Sequence, residues 1–304
     1  MNNTDLISVI LPTYNRAHLI KRSVESILNQ TYQNIELIII DDGSTDNTKE
    51  VIESLNDKRI VYIYQKNQGC CAARNKGIEV ARGNYIALQD SDDAWHPDKL
   101  EIQINALKEN NADVVFCKVF TIGNLIKRIA PKIFKEGFLK EDMLPINIWP
   151  QSLLGKAEVF KHNLFNPNIP TSEEIEILLR IQQKHSIYCI DKPLFDYYIQ
   201  KDSLSINPEN KTKALEYILK TYSNILKKYS NYYLEIMLGQ ELTFVSKIRD
   251  KEKRKFLLNL IFEIDNSNKL KIIYLCHRLH LYEIRRLMYN SISIPLKNII
   301  KLFK

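Results

Sequence analysis

The sequence predicts an α/β protein in which a mostly parallel sheet, flanked by helices, is followed by an all-helical C-terminal region. Over the first 120 residues, short apolar runs typical of buried strands alternate with helical stretches of about ten to fifteen residues, which is the pattern of βαβ units. Beyond Asn207 the apolar residues recur every three or four positions, with Lys and Arg between them, which indicates helices. The chain has 304 residues, 45% of them hydrophobic, and this length allows a domain with a large core and an appendage.

The alternating part contains five predicted strands and four predicted helices. The strands are 7–11, 35–40, 60–64, 85–88 and 113–120, and the helices are 19–28, about 46–55, about 69–80 and 99–107. In parallel α/β sheets, ligands bind beyond the carboxyl ends of the strands. The loops that follow these strands are therefore expected to share one crevice.

Three carboxylates follow the fourth strand within four positions. The apolar run 85–88 leads into Asp90, Asp92 and Asp93, which the strand delivers to its carboxyl end. Carboxylates this close repel one another unless a hard divalent cation lies among them, and Mg²⁺ or Mn²⁺ commonly bridges such side chains to phosphates. The alternative interpretation is an acidic turn that caps the helix beginning near Pro97.

Two further loops and one helix start complete a predicted nucleotide site. The loops 12–15 and 41–44 follow the first two strands, and Arg74 lies near the start of the third helix. Tyr14 offers a flat ring for stacking on a base, Asp42 a carboxylate for a base or ribose, and Arg74 a guanidinium for phosphate or ribose oxygens. Taken singly, each has an ordinary explanation as a packed ring, a turn residue or a solvated cation.

Four segments of the sequence resemble the inverting family-2 glycosyltransferases of the GT-A fold. They are SVILPTYN at 8–15, ELIIIDDGSTD at 36–46, AARNKGI at 72–78 and the DSDD tetrad at 90–93, and their order and spacing agree with that family. The resemblance implies a GT-A domain over 1–205, with a nucleotide-binding half at 1–120 and an acceptor half at 121–205. A basic helical region at 206–304 would follow it.

The resemblance also implies the reaction and its residues. The reaction is transfer of a sugar from a nucleotide donor, usually uridine diphosphate, to an acceptor with inversion at the anomeric carbon. The acceptor would be a glycan, lipid-linked in the synthesis of bacterial capsule, O-antigen or a related surface polysaccharide. The implied nucleotide-binding residues are Pro12, Tyr14, Asp42, Arg74, Asp90, Ser91 and Asp92, and the implied ligands of a Mn²⁺ or Mg²⁺ ion are Asp90, Asp92 and Asp93.

A weaker correspondence lies at 149–180, where the family has an acidic pair that opens a helix and supplies the catalytic base. Here the pair is Glu173–Glu174, and Glu174 stands in the base position, where the family more often has Asp. An acceptor hydroxyl is a poor nucleophile at neutral pH, so a carboxylate near the anomeric carbon is needed to take its proton. The alternative is a helix N-terminus enriched in acids, which the helix dipole favours.

The segment 197–205 departs from the family pattern. Relatives commonly have an Arg after the first Tyr and a His two residues later, where this chain has Tyr198 and Gln200. Gln200 and Lys201 are the predicted diphosphate contacts in their place, because an amide can donate to a phosphate oxygen and Lys supplies positive charge.

Charge and cysteine content bear on partners and compartment. Residues 1–204 hold 24 Lys and Arg against 27 Asp and Glu, whereas 205–304 hold 19 against 9. Together with an apolar stripe at 292–303, this predicts peripheral attachment to the inner face of a membrane, the alternative being a solvated helical exterior. Five scattered cysteines, a polar N-terminus and the absence of a long apolar run predict a reduced, cytoplasmic protein. No nucleic-acid-binding module is recognisable, so no nucleic acid partner is expected.

Two other functions fit parts of the sequence. A nucleotidyltransferase could use a similar sheet, but no Gly-rich loop with basic residues follows the first strand. A catalytically silent nucleotide-sugar-binding protein of the same fold is favoured by Gln200 and by Glu at position 174, and is opposed by the presence of all three tetrad carboxylates. The sequence does not specify the sugar, the acceptor, the linkage or the oligomeric state.

Overall fold

The computed structural model describes residues 5–122, 127–130, 133–200, 207–246, 248–267, 270–271 and 273–275. The chain divides into two compact units, one of residues 1–141 and 145–214 and the other of residues 142–144 and 215–304. Lys201 and the apolar stripe at 292–303 lie outside the described residues. The predicted boundaries after residues 120 and 205 stay predictions.

Over its described residues, the first unit is built on one sheet of ten strands. They are β1 (Ile7–Thr13), β2 (Ile35–Asp41), β3 (Ile60–Tyr64), β4 (Tyr85–Leu88), β5 (Ala94–Trp95), β6 (Val114–Ile122), β7 (Lys127–Ala130), β8 (Gly137–Phe138), β9 (Leu153–Lys156) and β10 (Ile187–Tyr198). Their order is β3-β2-β1-β4-β9-β6-β10-β5, with β7 paired to β6 and β8 to β10. The five predicted strands are β1, β2, β3, β4 and β6, so the predicted α/β class is confirmed.

Helices cover this sheet. They are α1 (Ile20–Leu28), α2 (Thr48–Glu53), α3 (Cys70–Val80), α4 (Lys99–Glu109), α5 (Ala157–His162) and α6 (Glu173–Gln182), together with a short 3₁₀ helix at Pro150–Ser152. The four predicted helices correspond to α1 to α4.

The sheet is parallel in its first four strands and mixed beyond them. β3, β2, β1 and β4 are parallel neighbours. β9 then runs antiparallel to both β4 and β6, whereas β6 and β10 are parallel to each other. β9 has only four residues, too few to show a periodic pattern in the sequence. The short strands β5, β7 and β8 also pair antiparallel with their neighbours, so the prediction of a mostly parallel sheet is corrected to a mixed sheet.

Burial on both faces explains why the parallel strands appear in the sequence as continuous apolar runs. Every residue of β1 and β2 is buried, as expected for parallel strands covered by helices on both sides. The buried hydroxyl of Ser8 is satisfied by donating to Glu36 Oε1 at 2.6 Å. Helix α3 approaches β1 closely at Gly77, where an added Cβ would lie 2.4 Å from Ile10 Cγ2. Glycine at this position lets α3 pack close to the sheet, and this packing fixes the position of Arg74 on the same helix.

The described part of the second unit is helical, as predicted, and the helical pattern predicted beyond residue 275 lies outside the described residues. The chain forms α7 (Pro208–Leu226), α8 (Asn231–Val245) and α9 (Lys251–Ile264). α8 packs against α9, and the buried residues on these two helices include Leu238, Leu242, Leu257 and Ile261. Asp250 caps α9 by accepting a hydrogen bond from the backbone N–H of Lys253 at 3.0 Å. In the part of the chain that the structure describes, no helix combines the length and apolar character needed to cross a bilayer.

Candidate active site

A cavity of about 660 Å³ opens at the carboxyl ends of β1, β2 and β4, the edge at which parallel sheets bind ligands. Its volume lies within the usual range for ligand pockets. Of the predicted site residues, its wall contains Pro12, Tyr14, Asp42, Arg74, Asp90, Ser91, Asp92, Glu174 and Gln200. The fold therefore brings the loops of three strands and the acidic start of α6 to one place.

Tyr14 and Asp42 form the end of the cavity that lies at β1 and β2. The Tyr14 side chain is 47% exposed, which leaves its ring open to a stacking partner. Asp42 is buried, and its carboxylate accepts hydrogen bonds from the backbone N–H groups of Gln68 at 2.9 Å and Gly69 at 2.7 Å. Gly69 precedes α3 with φ of +90°, a conformation that favours glycine. Asp42 therefore holds the turn into α3 as well as lining the cavity.

Arg74 joins the tetrad to the acidic pair of α6. Its side chain is buried; Nη2 donates to Asp90 Oδ1 at 2.7 Å, and Nη1 donates to Glu173 Oε1 at 2.6 Å. Removing one partner from a buried ionic group of this kind leaves an uncompensated charge and is strongly destabilising. Besides the contact with phosphate or ribose that the sequence predicts, Arg74 thus fixes two carboxylates that are far apart in the chain.

Asp93 lies beneath the cavity and not in its wall. It is fully buried, and its Oδ1 accepts from the backbone N–H of Tyr198 at 2.9 Å while its Oδ2 accepts from Nε2 of Gln151 at 2.6 Å. Burial, together with the charges of Asp92 and Asp90, raises the pKa of Asp93 well above its ordinary value. Asp93 differs from Asp90 and Asp92 in being fully buried outside the cavity wall, and its metal role stays a prediction.

Gln151, which sequence analysis missed, clamps two tetrad carboxylates together. Its Nε2 donates to Oδ2 of Asp90 and to Oδ2 of Asp93, at 2.6 Å in each case. Gln151 lies in the 3₁₀ helix before β9 and is 2% exposed. Gln151 lies in the segment 149–180 that carries the weaker family correspondence, but a single amide there does not indicate a role.

Helix α1 holds the backbone of the tetrad. Ser23 Oγ donates to the carbonyl of Asp90 at 2.8 Å, and Arg22 Nη2 donates to the carbonyl of Asp92.

The start of α4 decides the alternative interpretation, in which the tetrad caps that helix. The N-cap residue of α4 is Asp98, which makes no side-chain capping hydrogen bond, and the tetrad carboxylates lie further upstream. The capping interpretation is therefore wrong.

Asp90 and Asp92 remain as tetrad carboxylates in the cavity wall. Among the residues that the structure describes, no group of three or more His, Cys, Asp or Glu side chains is arranged to hold a metal ion. Mg²⁺ in nucleotide sites usually takes one or two carboxylates, with substrate phosphates and waters as its other ligands. Two wall carboxylates therefore fit a divalent cation that shares its coordination with a diphosphate.

The two acids at the start of α6 have different surroundings. Both line the cavity, and the carboxylate of Glu173 is in addition ion-paired with Arg74. Burial, with a further contribution from the charge of Glu173, raises the pKa of Glu174 to about 8. The residue before the pair, Ser172, has φ of +60°, a strained conformation for any residue other than glycine. The geometry therefore offers Glu174, and not Glu173, as a proton acceptor, because a base works best with a pKa near the operating pH.

The end of β10 completes the wall. Gln200 and Tyr198 both line the cavity, and the Tyr198 ring packs on the guanidinium of Arg22, with Cζ 3.7 Å from the ring centroid. The diphosphate contact of Gln200 stays a prediction.

The sequence matches known proteins over most of its length. Residues 8–164 match the family model described as glycosyl transferase family 2. An uncharacterized glycosyltransferase of Rickettsia felis is 34% identical over 258 residues, which cover 82% of this chain and 42% of that protein. This chain thus spans less than half the length of that relative. TuaG of Bacillus subtilis, a putative teichuronic acid biosynthesis glycosyltransferase, is 31% identical over 211 residues, which cover 66% of this chain and 82% of the relative.

The fold is also similar to a solved one. The structure of S. aureus TarS 1–349 in complex with UDP has a TM-score of 0.69 at 18% identity, covering 94% of this chain and 90% of that chain. The structure of the same protein in complex with UDP-GlcNAc has a TM-score of 0.69 at 17% identity, covering 93% of this chain and 91% of that chain. This likeness confirms the predicted fold.

Proposed function

This chain is a member of glycosyl transferase family 2, and from that premise we propose that it transfers a sugar from a nucleoside diphosphate donor to a glycan acceptor with inversion at the anomeric carbon. The observation that carries the proposal is Glu174, the acid of the cavity wall whose pKa is raised to about 8. Such a group accepts a proton from a hydroxyl more readily than an ordinary carboxylate does.

The donor would bind with its nucleoside toward Tyr14 and Asp42 and its diphosphate toward the tetrad. Tyr14 would stack on the base, Asp42 would contact the base or ribose, and Arg74 would contact phosphate or ribose oxygens. TarS, which shares the fold, has been solved in complex with UDP and with UDP-GlcNAc, and this supports a UDP-sugar as the donor of this chain.

Asp90 and Asp92 would hold a Mn²⁺ or Mg²⁺ ion together with the diphosphate. When bound, such an ion neutralises negative charge on the leaving diphosphate. Hydrogen bonds within the protein position both residues. Arg74 and Gln151 donate to the carboxylate of Asp90, and Arg22 donates to the backbone carbonyl of Asp92.

The chemical step would use Glu174 as general base. Its carboxylate takes the proton of the acceptor hydroxyl as the hydroxyl oxygen forms a bond to the anomeric carbon. The bond from that carbon to the diphosphate oxygen breaks on the opposite face, and its electron pair leaves with the diphosphate. The configuration of the sugar therefore inverts.

The acceptor would belong to a bacterial surface polysaccharide and would be lipid-linked. TuaG, a relative of this chain, is named for teichuronic acid biosynthesis. Residues 205–304 carry 19 Lys and Arg against 9 Asp and Glu, and such a balance favours contact with an anionic leaflet. Peripheral attachment at the cytoplasmic face of a membrane would bring the cavity to an acceptor held at the bilayer.

Calorimetry with UDP, in Mn²⁺ and in chelator, tests the donor site. We expect UDP binding to weaken by about 10-fold or more in chelator, and Asp92→Asn to abolish this dependence. Glu158→Gln, which changes an exposed acid of α5, should retain it. If the wild-type chain bound UDP equally well in Mn²⁺ and in chelator, and Asp92→Asn bound it as tightly, the metal role would be wrong. A parallel screen of nucleotide sugars measures UDP release, and tight donor binding without any turnover would favour the silent binding protein.

A further inference from the structure

Two aromatic rings stand side by side in the cavity wall. The ring centroids of Trp149 and Tyr197 are 6.2 Å apart, and the ring planes are inclined at 36°. Both side chains are half-buried, since each packs partly on the hydrophobic core and partly lines the cavity. Neither residue is among those assigned to the nucleotide, the metal ion or the base. Their presence in the wall therefore indicates contact with a different part of the substrates.

The strand order places this pair on the side of the tetrad away from Tyr14 and Asp42. Trp149 precedes the 3₁₀ helix that leads into β9, and Tyr197 lies at the carboxyl end of β10. The order across the sheet is β2-β1-β4-β9-β6-β10. At about 4.8 Å per strand, β2 is about 10 Å from β4 on one side and β10 is about 14 Å from β4 on the other. A nucleoside at β2 and a diphosphate at β4 leave the β9–β10 side for sugars.

We propose that Trp149 and Tyr197 form a platform on which a pyranose ring of the acceptor packs. A pyranose presents a face of C–H groups, and the electron-rich face of an aromatic ring attracts such a surface, whereas an open-chain polyol has no comparable face. The distance of about 14 Å from β4 to β10, at about 4.8 Å per strand, allows both the donor sugar and an acceptor ring on this side. The inference rests on the proposed function and adds the acceptor's class, a cyclic sugar.

The platform is fixed before any ligand binds. The carbonyl of Trp149 accepts hydrogen bonds from the backbone N–H of Ser152 at 3.0 Å and from its Oγ at 2.6 Å. Tyr197 lies within β10 in register with Thr121 of β6, and the next backbone N–H donates to Asp93 at 2.9 Å. These contacts hold the backbone, and both rings pack on the hydrophobic core. The rings therefore lose little conformational freedom when a sugar binds, which favours binding through a weak contact.

The two tryptophans of the chain allow a direct test. Trp95 is 4% exposed in the core, so a sugar in the cavity should change the fluorescence of Trp149 alone. Methyl β-glucopyranoside, methyl β-galactopyranoside and methyl β-N-acetylglucosaminide are titrated into the full chain in the presence of UDP and Mn²⁺, with sorbitol as the open-chain control. We expect a saturable change with at least one pyranoside and none with sorbitol. Trp149→Phe should remove this change, and Trp95→Phe should keep it.

Tyr197 supplies the quantitative test. Tyr197→Ala should weaken binding of the active pyranoside by about 2- to 10-fold, the range that an aromatic contact provides, while Tyr197→Phe should remain near wild type because the ring makes the contact. UDP affinity of each variant is measured by calorimetry. If UDP binds but no pyranoside changes the Trp149 signal, or sorbitol acts equally, the platform is overturned and the donor site stands. If the wild-type chain does not bind UDP, the proposed function fails and the platform fails with it.

Discussion

The sheet has a parallel side, which contains β1, β2 and β4, and a mixed side, which contains β9, β6 and β10. The two sides contribute to the same cavity in different ways. On the parallel side, β1, β2 and β4 each run directly into a short loop that enters the cavity. On the mixed side, the wall is made by the start of α6, a 3₁₀ helix and the end of β10, which are joined to the first side by contacts between distant residues. Arg74 and Glu173, for example, are 99 positions apart in the chain. The parallel side therefore carries local motifs, and the mixed side carries the proposed base on a framework of long-range contacts.

The largest effect on activity is expected at Glu174, because its substitution should slow the chemical step without weakening donor binding. Glu174→Gln should lower kcat by about 10²-fold or more, because proton transfer to a general base contributes about 10² to 10⁴. UDP affinity should stay near the wild-type value, since the nucleoside end of the cavity is built from the parallel side. Steady-state kinetics and calorimetry check the two parts, with Glu158→Gln as the matched surface control.

The pH profile tests the same assignment without a mutation. Because burial raises the pKa of Glu174 to about 8, its carboxyl is mostly protonated at neutral pH and becomes an active base only as the pH passes that value. The wild-type rate should therefore rise through about pH 8. A flat profile there, with normal turnover of Glu174→Gln, would remove Glu174 from the mechanism and make Glu173 the next candidate.

Arg74 forms ion pairs with Asp90 on the parallel side and with Glu173 on the mixed side, so its substitution should cause the largest loss of stability. Arg74→Met leaves the buried carboxylate of Glu173 and the half-buried carboxylate of Asp90 without their cation, and such losses are about 3–5 kcal/mol. Lys76→Met on the same helix removes an exposed pair with Glu79 and should cost less than about 1 kcal/mol. Denaturant unfolding measures both.

A double variant sharpens this comparison. Adding Glu173→Gln to Arg74→Met removes one of the two unpaired carboxylates, so it should recover part of the lost free energy of unfolding. If Arg74→Met were as stable as Lys76→Met, the ionic link would not be what holds α6 to the tetrad.

Neighbouring tetrad residues should respond in opposite ways. Asp93→Ala leaves the N–H of Tyr198 without an acceptor and removes one of the two acceptors of the Gln151 amide, at a cost of about 1–3 kcal/mol for a buried unsatisfied donor. Asp92→Ala changes a residue of the cavity wall and should cost less stability, although it should abolish the metal dependence of UDP binding. Melting temperature and calorimetry give both readouts. If Asp92→Ala lowered the melting temperature more than Asp93→Ala did, Asp93 would be favoured as a metal ligand.

The parallel side was largely predictable from the sequence, because a strand that ends in a loop has a local signature. Pro12, Tyr14 and Asp42 follow apolar runs, and the rule that ligands bind at the carboxyl ends of strands was sufficient to bring them together. The directions of individual side chains were not predictable. Asp92 and Asp93 are adjacent and chemically alike, yet one lines the cavity and the other is buried beneath it.

The supporting residues escaped prediction for a different reason. Gln151, Ser23 and Arg22 act through hydrogen bonds to residues about 60 to 70 positions away, and such separations leave no pattern in a single sequence. Arg22 in particular has the sequence signature of an ordinary polar residue on an amphipathic helix.

The smallest effect is expected at Arg22, which supports the tetrad from α1. Its guanidinium donates to the carbonyl of Asp92 and packs on the ring of Tyr198, so it holds the backbone of a proposed metal ligand next to the mixed side. Arg22→Gln should raise the Mn²⁺ concentration needed for half-maximal UDP binding by about 10-fold, the lower end of the range for residues that orient a metal ligand. Lys21→Gln, which changes the exposed neighbouring cation, should leave that concentration unchanged. A raised Mn²⁺ requirement at an unchanged melting temperature would establish Arg22 as a positioning residue, whereas a lower melting temperature with an unchanged requirement would limit it to packing.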